Sequence, residues 1–215
     1  MAQVLKVSCE KPEPHPIAYA AQLIRRGEVV GIPTDTLYGL AADPFNLAAV
    51  ARIYEIKGRP ERRALPILVD SIEQTKELVL DPPDAFFALA ERYWPGALTL
   101  VVDAAARLPL KVTGNTGRVA LRVPNSPVAC ALIAAADMPL TGTSANLSGF
   151  PACVEASQVI KQIGERLPLI LDGGKSDAFL PSTIVDLRGD RWIILREGPI
   201  SEADIRVTLE GEPLG

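Results

Sequence analysis

Four polar side chains stand close together between residues 34 and 38, directly after the apolar run at 29–32. Thr34, Asp35, Thr36 and Tyr38 supply two hydroxyls, a carboxylate and a phenol within five residues. A polar group that is buried without a partner costs free energy, so these groups must meet either the backbone or a ligand. The segment is therefore either an ordinary polar turn, with Asp35 or Thr36 bonding nearby amides, or part of a binding site.

A group of cations follows the helix that is predicted to begin after Asn46. Lys57 and Arg59 stand two positions apart at the end of this helix, and Arg62 with Arg63 adds two more charges. Cations near a helix C-terminus complement the helix dipole and are common on surfaces. An ordinary charged surface is therefore one explanation of this group, and an anion site is the other.

Arginines also flank the apolar strands predicted at 119–123 and 192–195. Arg118 and Arg122 are four residues apart, and an even spacing puts both side chains on one face of an extended strand. Arg196 ends the second run. A guanidinium beside a buried strand is costly without an anion to meet it. In this acidic protein the three arginines predict a focused basic pocket for a phosphate or carboxylate ligand.

Residues 141–149 form a second polar segment, again directly after an apolar pair. The sequence TGTSANLSG combines hydroxyls, one amide and glycines. Such a loop can wrap an anionic or sugar-like ligand with side-chain and backbone donors. It lacks the glycine and lysine spacing of a P-loop. A long structural turn is the alternative interpretation.

Composition excludes several kinds of chemistry. The one histidine, His15, lies between two prolines near the N-terminus, which favours a solvated turn and leaves no Ser-His-Asp triad or multi-histidine metal site. The three cysteines are far apart and offer neither a disulfide framework nor a zinc knuckle. A net charge of −4 argues against a protein that coats nucleic acid, because affinity for phosphates comes largely from Lys and Arg. Any chemistry must therefore use Lys, Arg, carboxylates, hydroxyls and backbone amides.

The alternation of predicted strands and helices indicates the fold class. At 215 residues with 48% hydrophobic content, the chain can bury one substantial core. We predict one α/β domain over 1–215, with helices on a central mixed sheet and no C-terminal second domain. No apolar run reaches the roughly 18 residues that span a bilayer, so we expect a soluble, cytoplasmic protein without membrane contact. The predicted strands lie at 28–32, 65–69, 97–102, 119–123, 140–143 and 167–172, with a hairpin at 182–197 that turns at Gly189-Asp190.

Seven short motifs resemble, in this order, those of the YrdC/Sua5 family. They lie within about residues 16–200, nearly the whole chain, and their combination is highly specific. Since the chain stops at Gly215, it resembles the short form, which has the YrdC-like domain only. The motifs are PTDTLYGL at 33–40, KGR at 57–59, WPGALTL at 94–100, RVALRVP at 118–124, TSANLSG at 143–149, PSTIVD at 181–186 and REG at 196–198.

The resemblance implies a twisted α/β fold with a concave, positively charged cavity. The implied activity is that of an L-threonylcarbamoyladenylate synthase, a nucleotidyltransferase that joins L-threonine, bicarbonate and ATP into threonylcarbamoyl-AMP and releases pyrophosphate. Mg²⁺ is expected to accompany ATP. The product would pass to the downstream machinery that makes N6-threonylcarbamoyladenosine at position 37 of tRNA. Direct contact with tRNA would be weak or indirect.

The same resemblance assigns roles to positions. Lys57 and Arg59 of the KxR signature would be the catalytic cations, and no metal site made of protein residues is expected. Threonine would be contacted by Thr36, Arg122, Gly142 and Ser182. ATP would be contacted by Arg59, Arg63, Arg118, Ser144, Asn146, Ala152 and Arg196.

Departures from the family pattern leave some contacts open, and two other functions remain as alternatives. Leu68 stands where long members often carry a histidine, and Ala64 stands where a proline is usual, so the contacts of the strand at 65–69 are not assigned. One alternative is a carbamoyladenylate-forming enzyme of the same fold that uses carbamoyl phosphate, although such domains normally lie inside much longer chains. The other is a non-enzymatic RNA-binding module, which the net negative charge disfavours.

Overall fold

The computed structural model describes residues 2–176, 178, 180–189 and 191–211, and this part of the chain forms eleven strands and seven α-helices. The strands are β1 (Gln3–Lys6), β2 (Val30–Ile32), β3 (Gly39–Ala41), β4 (Ile67–Leu68), β5 (Leu98–Asp103), β6 (Arg118–Arg122), β7 (Leu140–Thr141), β8 (Thr143–Ser144), β9 (Leu169–Asp172), β10 (Thr183–Arg188) and β11 (Arg191–Arg196). The helices are α1 (Pro14–Arg25), α2 (Leu47–Lys57), α3 (Ile72–Thr75), α4 (Asp84–Tyr93), α5 (Pro127–Ala136), α6 (Ala156–Ile163) and α7 (Glu202–Glu210).

The strands form two mixed sheets. One sheet has the order β1-β9-β2-β3-β8, and the other has the order β11-β10-β5-β6-β4-β7. Each contains parallel and antiparallel pairs: β2 runs parallel to β9 and antiparallel to β3, while β5 runs parallel to β10 and antiparallel to β6. The mixed α/β fold is therefore confirmed, but hydrogen bonding divides the strands between two sheets and does not join them into one central sheet.

The predicted strand at 140–143 is the place where the chain passes from one sheet to the other. Its first half is β7, which pairs with β4, and its second half is β8, which pairs with β3. Gly142 separates them and donates its backbone N–H to the carbonyl of Pro66 at 2.7 Å. A Cβ at this position would lie 2.5 Å from Cγ of Leu68, so only glycine fits the crossing without displacing Leu68.

Local signals fix the ends of the helices. The side chain of Asn46 accepts hydrogen bonds from the backbone of Ala48 and Ala49 at the start of α2, and Gly58 ends that helix with a φ of 59°. Ser126 caps α5, and Ser201 opens α7. Asparagine and serine at helix starts and glycine at a helix end are the residue types that favour these boundaries. The strand predicted at 65–69 is shorter, because β4 contains only two residues.

Two clusters of buried apolar side chains hold the elements together. One joins α1 and α5 to β2 and β9, and it includes Ile24, Leu132 and Ile32. The other includes Ile53 of α2 and Phe86 of α4 together with apolar residues of β5, β6 and β10. Each fully buried side chain of this size contributes about 1.5–3 kcal/mol, so apolar burial positions the strands that carry the polar residues.

The hairpin of β10 and β11 forms as predicted, with Gly189 at a φ of 57°, while Asp190 of its turn lies outside the described residues. Across the described ranges, no helix is both long and apolar enough to cross a membrane.

Candidate active site

A cavity of about 430 Å³ lies beside the crossing at Gly142 and is lined from both sheets. Its described lining contains four arginines and no carboxylate. A larger cleft of about 780 Å³ lies between β11 and α7, but Arg206 there is paired with Glu202 and Glu210. The smaller cavity is lined by Thr34, Thr36, Leu37, Tyr38, Gly39, Arg59, Arg63, Ala64, Pro66, Leu68, Thr99, Arg122, Gly142, Thr143, Ser144, Pro181, Ser182, Ile184 and Arg196.

Most of the residues singled out from the sequence meet at this cavity. All four residues expected at threonine line it, as do four of those expected at ATP, namely Arg59, Arg63, Ser144 and Arg196. The other predicted residues belong to the described part of the chain but not to the lining: Lys57, Arg118, Asn146 and Ala152.

Arg122 of β6 is held on three sides. Its Nε donates to the carbonyl of Gly96 at 2.8 Å, its Nη1 donates to Oγ1 of Thr36 at 2.8 Å, and its Nη2 donates to Oδ2 of Asp35 at 2.6 Å. The side chains of Arg122 and Asp35 are 7% and 15% exposed, so this ion pair is largely shielded from water. The other carboxylate oxygen of Asp35 is buried without a partner among the described residues. The pair ties the turn at 34–38 to β6.

Arg196 of β11 approaches the same cavity from the other side. Its Nε donates to the carbonyl of Ser182 at 2.9 Å, and its Nη2 donates to Oγ of Ser182 at 3.0 Å. The Ser182 hydroxyl in turn lies 2.8 Å from the hydroxyl of Thr99 on β5. Arg196, Ser182 and Thr99 therefore form a continuous hydrogen-bonded row along the cavity wall.

Arg59 follows the left-handed turn at Gly58, which directs the chain back over α2. Its Nη2 donates to the carbonyls of Arg63 and Ala64 at 2.7 and 2.8 Å, and its guanidinium lies 5.5 Å from the centre of the Tyr54 ring. The Tyr54 hydroxyl donates to the carbonyl of Arg63 at 2.8 Å or to that of Lys111 at 2.9 Å. The loop is therefore organised around Arg59, whose charge remains free to face a ligand.

Lys57 lies beneath the cavity wall at the end of α2 and is only 3% exposed. Its Nζ donates to the carbonyl of Ser144, to the carbonyl of Asn146 at 3.0 Å and to Oδ1 of Asn146 at 3.1 Å. The Ser144 hydroxyl also donates to Oδ1 of Asn146, at 2.6 Å. In this structure Lys57 therefore fixes the shape of the loop that presents Ser144, and its catalytic role stays a prediction.

Arg118, at the other end of β6, is paired with two carboxylates. Its Nη1 donates to Oδ1 of Asp103 at 2.7 Å, and its Nη2 donates to Asp186 and to the carbonyl of Leu187. Asp186 and Asp35 supply internal anions for Arg118 and Arg122, so the burial of these two arginines does not by itself require a ligand anion, and their contacts with ATP and threonine stay predictions. Arg59 and Arg196, by contrast, form no salt bridge with any described residue.

Burial and the proximity of like charges lower the pKa of several cations at this site. Burial lowers the pKa of Arg59, Arg122 and Arg196, and the charge of Arg122 lowers that of Arg196 further. Burial, together with the charge of Arg59, also lowers the pKa of Lys57 to about 8. A bound anion would relieve both effects, so the site is suited to a ligand that carries phosphate or carboxylate groups.

Sequence reasoning assigned no role to Thr99 and no partner to Asp35. Thr99 lies within the strand predicted at 97–102, and its hydroxyl in that otherwise apolar run was the available signal. Asp35 stood out as polar, but its pairing with Arg122 joins residues 87 positions apart. Spacing along the chain contains no information about such a contact.

The fold and the site define a mixed α/β protein whose basic, hydroxyl-lined cavity can hold an anionic ligand. Residues 22–198 match the model of the Sua5/YciO/YrdC family, described as "Telomere recombination", and the chain belongs to this family.

Related proteins extend the comparison. The chain is 39% identical to the threonylcarbamoyl-AMP synthase of Bacillus subtilis, over 90% of this chain and 56% of that protein. It is 38% identical to the protein of the same name from Pyrococcus abyssi, over 91% of this chain and 58% of that protein. A putative threonylcarbamoyl-AMP synthase of Mycobacterium tuberculosis is 39% identical, over 94% of this chain and 93% of that protein. The chain thus spans little more than half the length of the first two relatives.

Solved structures share the fold. The crystal structure of P. abyssi Sua5 complexed with L-threonine superposes with a TM-score of 0.93 at 36% identity, covering 97% of this chain and 61% of that chain. Escherichia coli YciO superposes with a TM-score of 0.84 at 24% identity, covering 93% and 97% of the two chains, which shows likeness of fold alone.

Proposed function

We propose that this chain is an L-threonylcarbamoyladenylate synthase, a nucleotidyltransferase that converts L-threonine, bicarbonate and ATP into threonylcarbamoyl-AMP and pyrophosphate. One observation carries the proposal: a single cavity brings together all four positions expected to bind threonine and four expected to bind ATP. The names of the Bacillus and Pyrococcus relatives, and the complex of P. abyssi Sua5 with L-threonine, support the same substrate.

The reaction mainly requires charge neutralisation and alignment. The amine of threonine and bicarbonate form a carbamate, with loss of water. A carbamate oxygen then bonds to the α-phosphorus of ATP, while the bond from that phosphorus to the bridging oxygen breaks and its electron pair leaves with pyrophosphate. Two anions must approach each other in this step, so cations that neutralise them lower the barrier.

The residues of the cavity can meet these requirements without a histidine. Arg59 and Arg196, which have no carboxylate partner among the described residues, supply positive charge for the phosphates, and Arg63 adds a further charge at the rim. Arg122, whose Nη1 donates to the hydroxyl of Thr36, faces the amino-acid substrate. The hydroxyls of Thr36, Ser144 and Ser182 orient the reactants by hydrogen bonds. Lys57 holds the Ser144 loop in place.

We propose that Mg²⁺ enters with ATP. The described residues contain no cluster of three or more His, Cys, Asp or Glu side chains that could hold a metal ion, and the described cavity lining has no carboxylate. A hard cation bound by phosphate oxygens and water fits such a site, with a hydroxyl such as that of Ser144 as an additional ligand. The ion would neutralise part of the phosphate charge.

We also propose that the chain acts in the cytoplasm and delivers its product to the transfer machinery that modifies tRNA. The acidic net charge fits a protein that makes a small-molecule intermediate and contacts tRNA weakly or indirectly.

The proposal is tested by measuring pyrophosphate release from ATP with each substrate omitted in turn. Release should require threonine and bicarbonate together. Carbamoyl phosphate, offered in place of both, should give none. If pyrophosphate release requires carbamoyl phosphate and does not require threonine, the protein is instead a carbamoyladenylate-forming enzyme of this fold.

A further inference from the structure

The hydroxyls of Thr99 and Ser182 are hydrogen-bonded to each other, and their surroundings indicate which of the two donates. Their oxygens lie 2.8 Å apart, and Thr99 and Ser182 are 2% and 5% exposed. Arg196 Nη2 lies 3.0 Å from Oγ of Ser182, and a guanidinium can only donate. One lone pair of the Ser182 oxygen is therefore already occupied.

The direction of the bond between the two hydroxyls follows from burial. Among the described residues, Ser182 is the one hydrogen-bond partner of the Thr99 hydroxyl. Both residues line the cavity, but Thr99 is the more buried, so if Ser182 donated to Thr99 the unpaired hydrogen would lie on the less exposed hydroxyl, which is the more costly place for it. If Thr99 donates, both lone pairs of Ser182 are occupied, and the hydrogen of Ser182 turns to the cavity. The second arrangement pairs the hydrogen of the more buried hydroxyl and leaves that of Ser182 for a ligand.

We infer that Thr99 is a positioning residue that fixes Ser182 as a hydrogen-bond donor to an acceptor oxygen of the amino-acid substrate. This inference rests on the proposed function and adds to it a residue to which the sequence resemblance gives no role. Donation by both Thr99 and Arg196 also polarises the Ser182 hydroxyl and makes it a stronger donor. The acceptor is either the side-chain hydroxyl or the carboxylate of threonine.

The experiment compares Michaelis constants in Thr99→Val, which removes the hydroxyl and keeps the shape of the side chain. The KM for threonine should rise about tenfold, the factor expected for one neutral hydrogen bond, while the KM for ATP stays within twofold. Thr99→Ser, which keeps the hydroxyl, should behave like the wild type. The matched control is Thr75→Val, because Thr75 is also buried, at 1% exposure, and among the described residues its hydroxyl bonds only the carbonyl of Ile72 in α3.

A double mutant tests whether Thr99 acts through Ser182. In the Ser182→Ala background, Thr99→Val should raise the KM for threonine no further. 2-Aminobutyrate, which lacks the hydroxyl of threonine, serves as a competing ligand. If Thr99→Val leaves the inhibition constant of 2-aminobutyrate unchanged, the acceptor is the threonine hydroxyl. If that constant rises together with the KM for threonine, the acceptor is the carboxylate.

An unchanged KM for threonine in Thr99→Val would overturn the inference. A further rise in the Ser182→Ala background, or an equal rise in the KM for ATP, would overturn it as well. Thr99→Ala provides the same comparison if the valine variant does not fold. A wild-type protein without threonine-dependent pyrophosphate release would instead overturn the proposed function, so the two failures are distinguishable.

Discussion

Among individual residues, the arginines differ in what already neutralises them. Arg122 is paired with Asp35 and Arg118 with Asp103 and Asp186, whereas Arg196 and Arg59 bond only neutral oxygens in the described part of the chain. A cation with an internal carboxylate has little net attraction left for a ligand. Arg59 and Arg196 are therefore the main sources of attraction for phosphate.

The first prediction concerns Arg59. Arg59→Gln keeps a donor for the carbonyl of Ala64 but removes the charge, so it should lower threonine-dependent pyrophosphate release at least about tenfold, as expected for a charge-assisted bond of about 1.5–3 kcal/mol. The control is Arg52→Gln, since Arg52 in the preceding helix, α2, is half-exposed and paired with Glu55 on the surface. Equal rates in wild type and Arg59→Gln would remove Arg59 from the mechanism.

The second prediction concerns the buried ammonium of Lys57, whose pKa is lowered from 10.5 to about 8. Between these two pH values the unfolded chain holds a proton that the folded chain has released, so the stability of the folded state rises with pH. Relative to Lys57→Met, the free energy of unfolding of the wild type should rise by up to about 1.4 kcal/mol per pH unit between pH 8 and 10.5, and it should not change with pH below pH 7. Urea unfolding at several pH values measures the difference, and a constant difference would mean that Lys57 is not desolvated.

The motifs in the sequence predicted which residues belong to the site, but they did not predict the hydrogen-bond and ion-pair partners of these residues. The resemblance placed Arg118 and Arg122 near the site. Asp186, which neutralises Arg118, lies 68 positions away along the chain, and its contact exists only because β10, β5 and β6 are adjacent. Neighbouring strands of this kind are set by the whole sheet and not by local spacing.

Among the elements, the crossing from β7 to β8 has the tightest steric requirement. Gly142→Ala would place Cβ 2.5 Å from Cγ of Leu68, and overpacking of this kind costs about 1–3 kcal/mol. The third prediction is a loss of stability in that range, measured by urea unfolding. Much of this loss should disappear in the Leu68→Ala background.

Gly39→Ala is the matched control for this crossing. Gly39 also lines the cavity, but a Cβ there would meet its nearest neighbour, the carbonyl of Thr143, at an ordinary 3.5 Å. Its effect should be clearly smaller. Additive effects of Gly142→Ala and Leu68→Ala would show that the two residues do not compete for space.

The turn at 34–38 is joined to β6 by the ion pair of Asp35 and Arg122. Asp35→Ala would leave a shielded arginine without its anion, and breaking such pairs costs about 3–5 kcal/mol. The fourth prediction is a loss near the lower end of this range, because Asp35 is 15% exposed. Glu73→Ala, which breaks the exposed pair with Lys76, should change stability by less than about 1 kcal/mol. Similar effects of the two variants would contradict a structural role for the buried pair.

Elements with local signals were the predictable part of the fold. Asn46, Ser126 and Ser201 cap α2, α5 and α7 through bonds within three residues, so their positions could be predicted from the sequence alone. The length of β4 and the division into two sheets depend on which strands meet across the core. The sequence at 140–143 predicted one strand and gave no sign that the two halves of this segment belong to different sheets.

For the whole molecule, we propose that the cavity of this chain catalyses the formation of threonylcarbamoyl-AMP. The relatives from B. subtilis and P. abyssi are longer, and the chain covers 56% and 58% of them. All the residues to which we assign charge neutralisation and orientation nevertheless lie within residues 36–196. The cavity is lined from both sheets of this chain.

Mass spectrometry of the product tests this claim most directly. The purified chain, supplied with ATP, Mg²⁺, L-threonine and ¹³C-bicarbonate, should form an adduct of AMP that contains one threonine and one ¹³C carbon, together with pyrophosphate. Arg59→Gln, measured in parallel, should form at least about tenfold less of the adduct. Hydrolysis of ATP without this adduct, or an adduct of AMP and threonine that lacks the ¹³C label, would contradict the account.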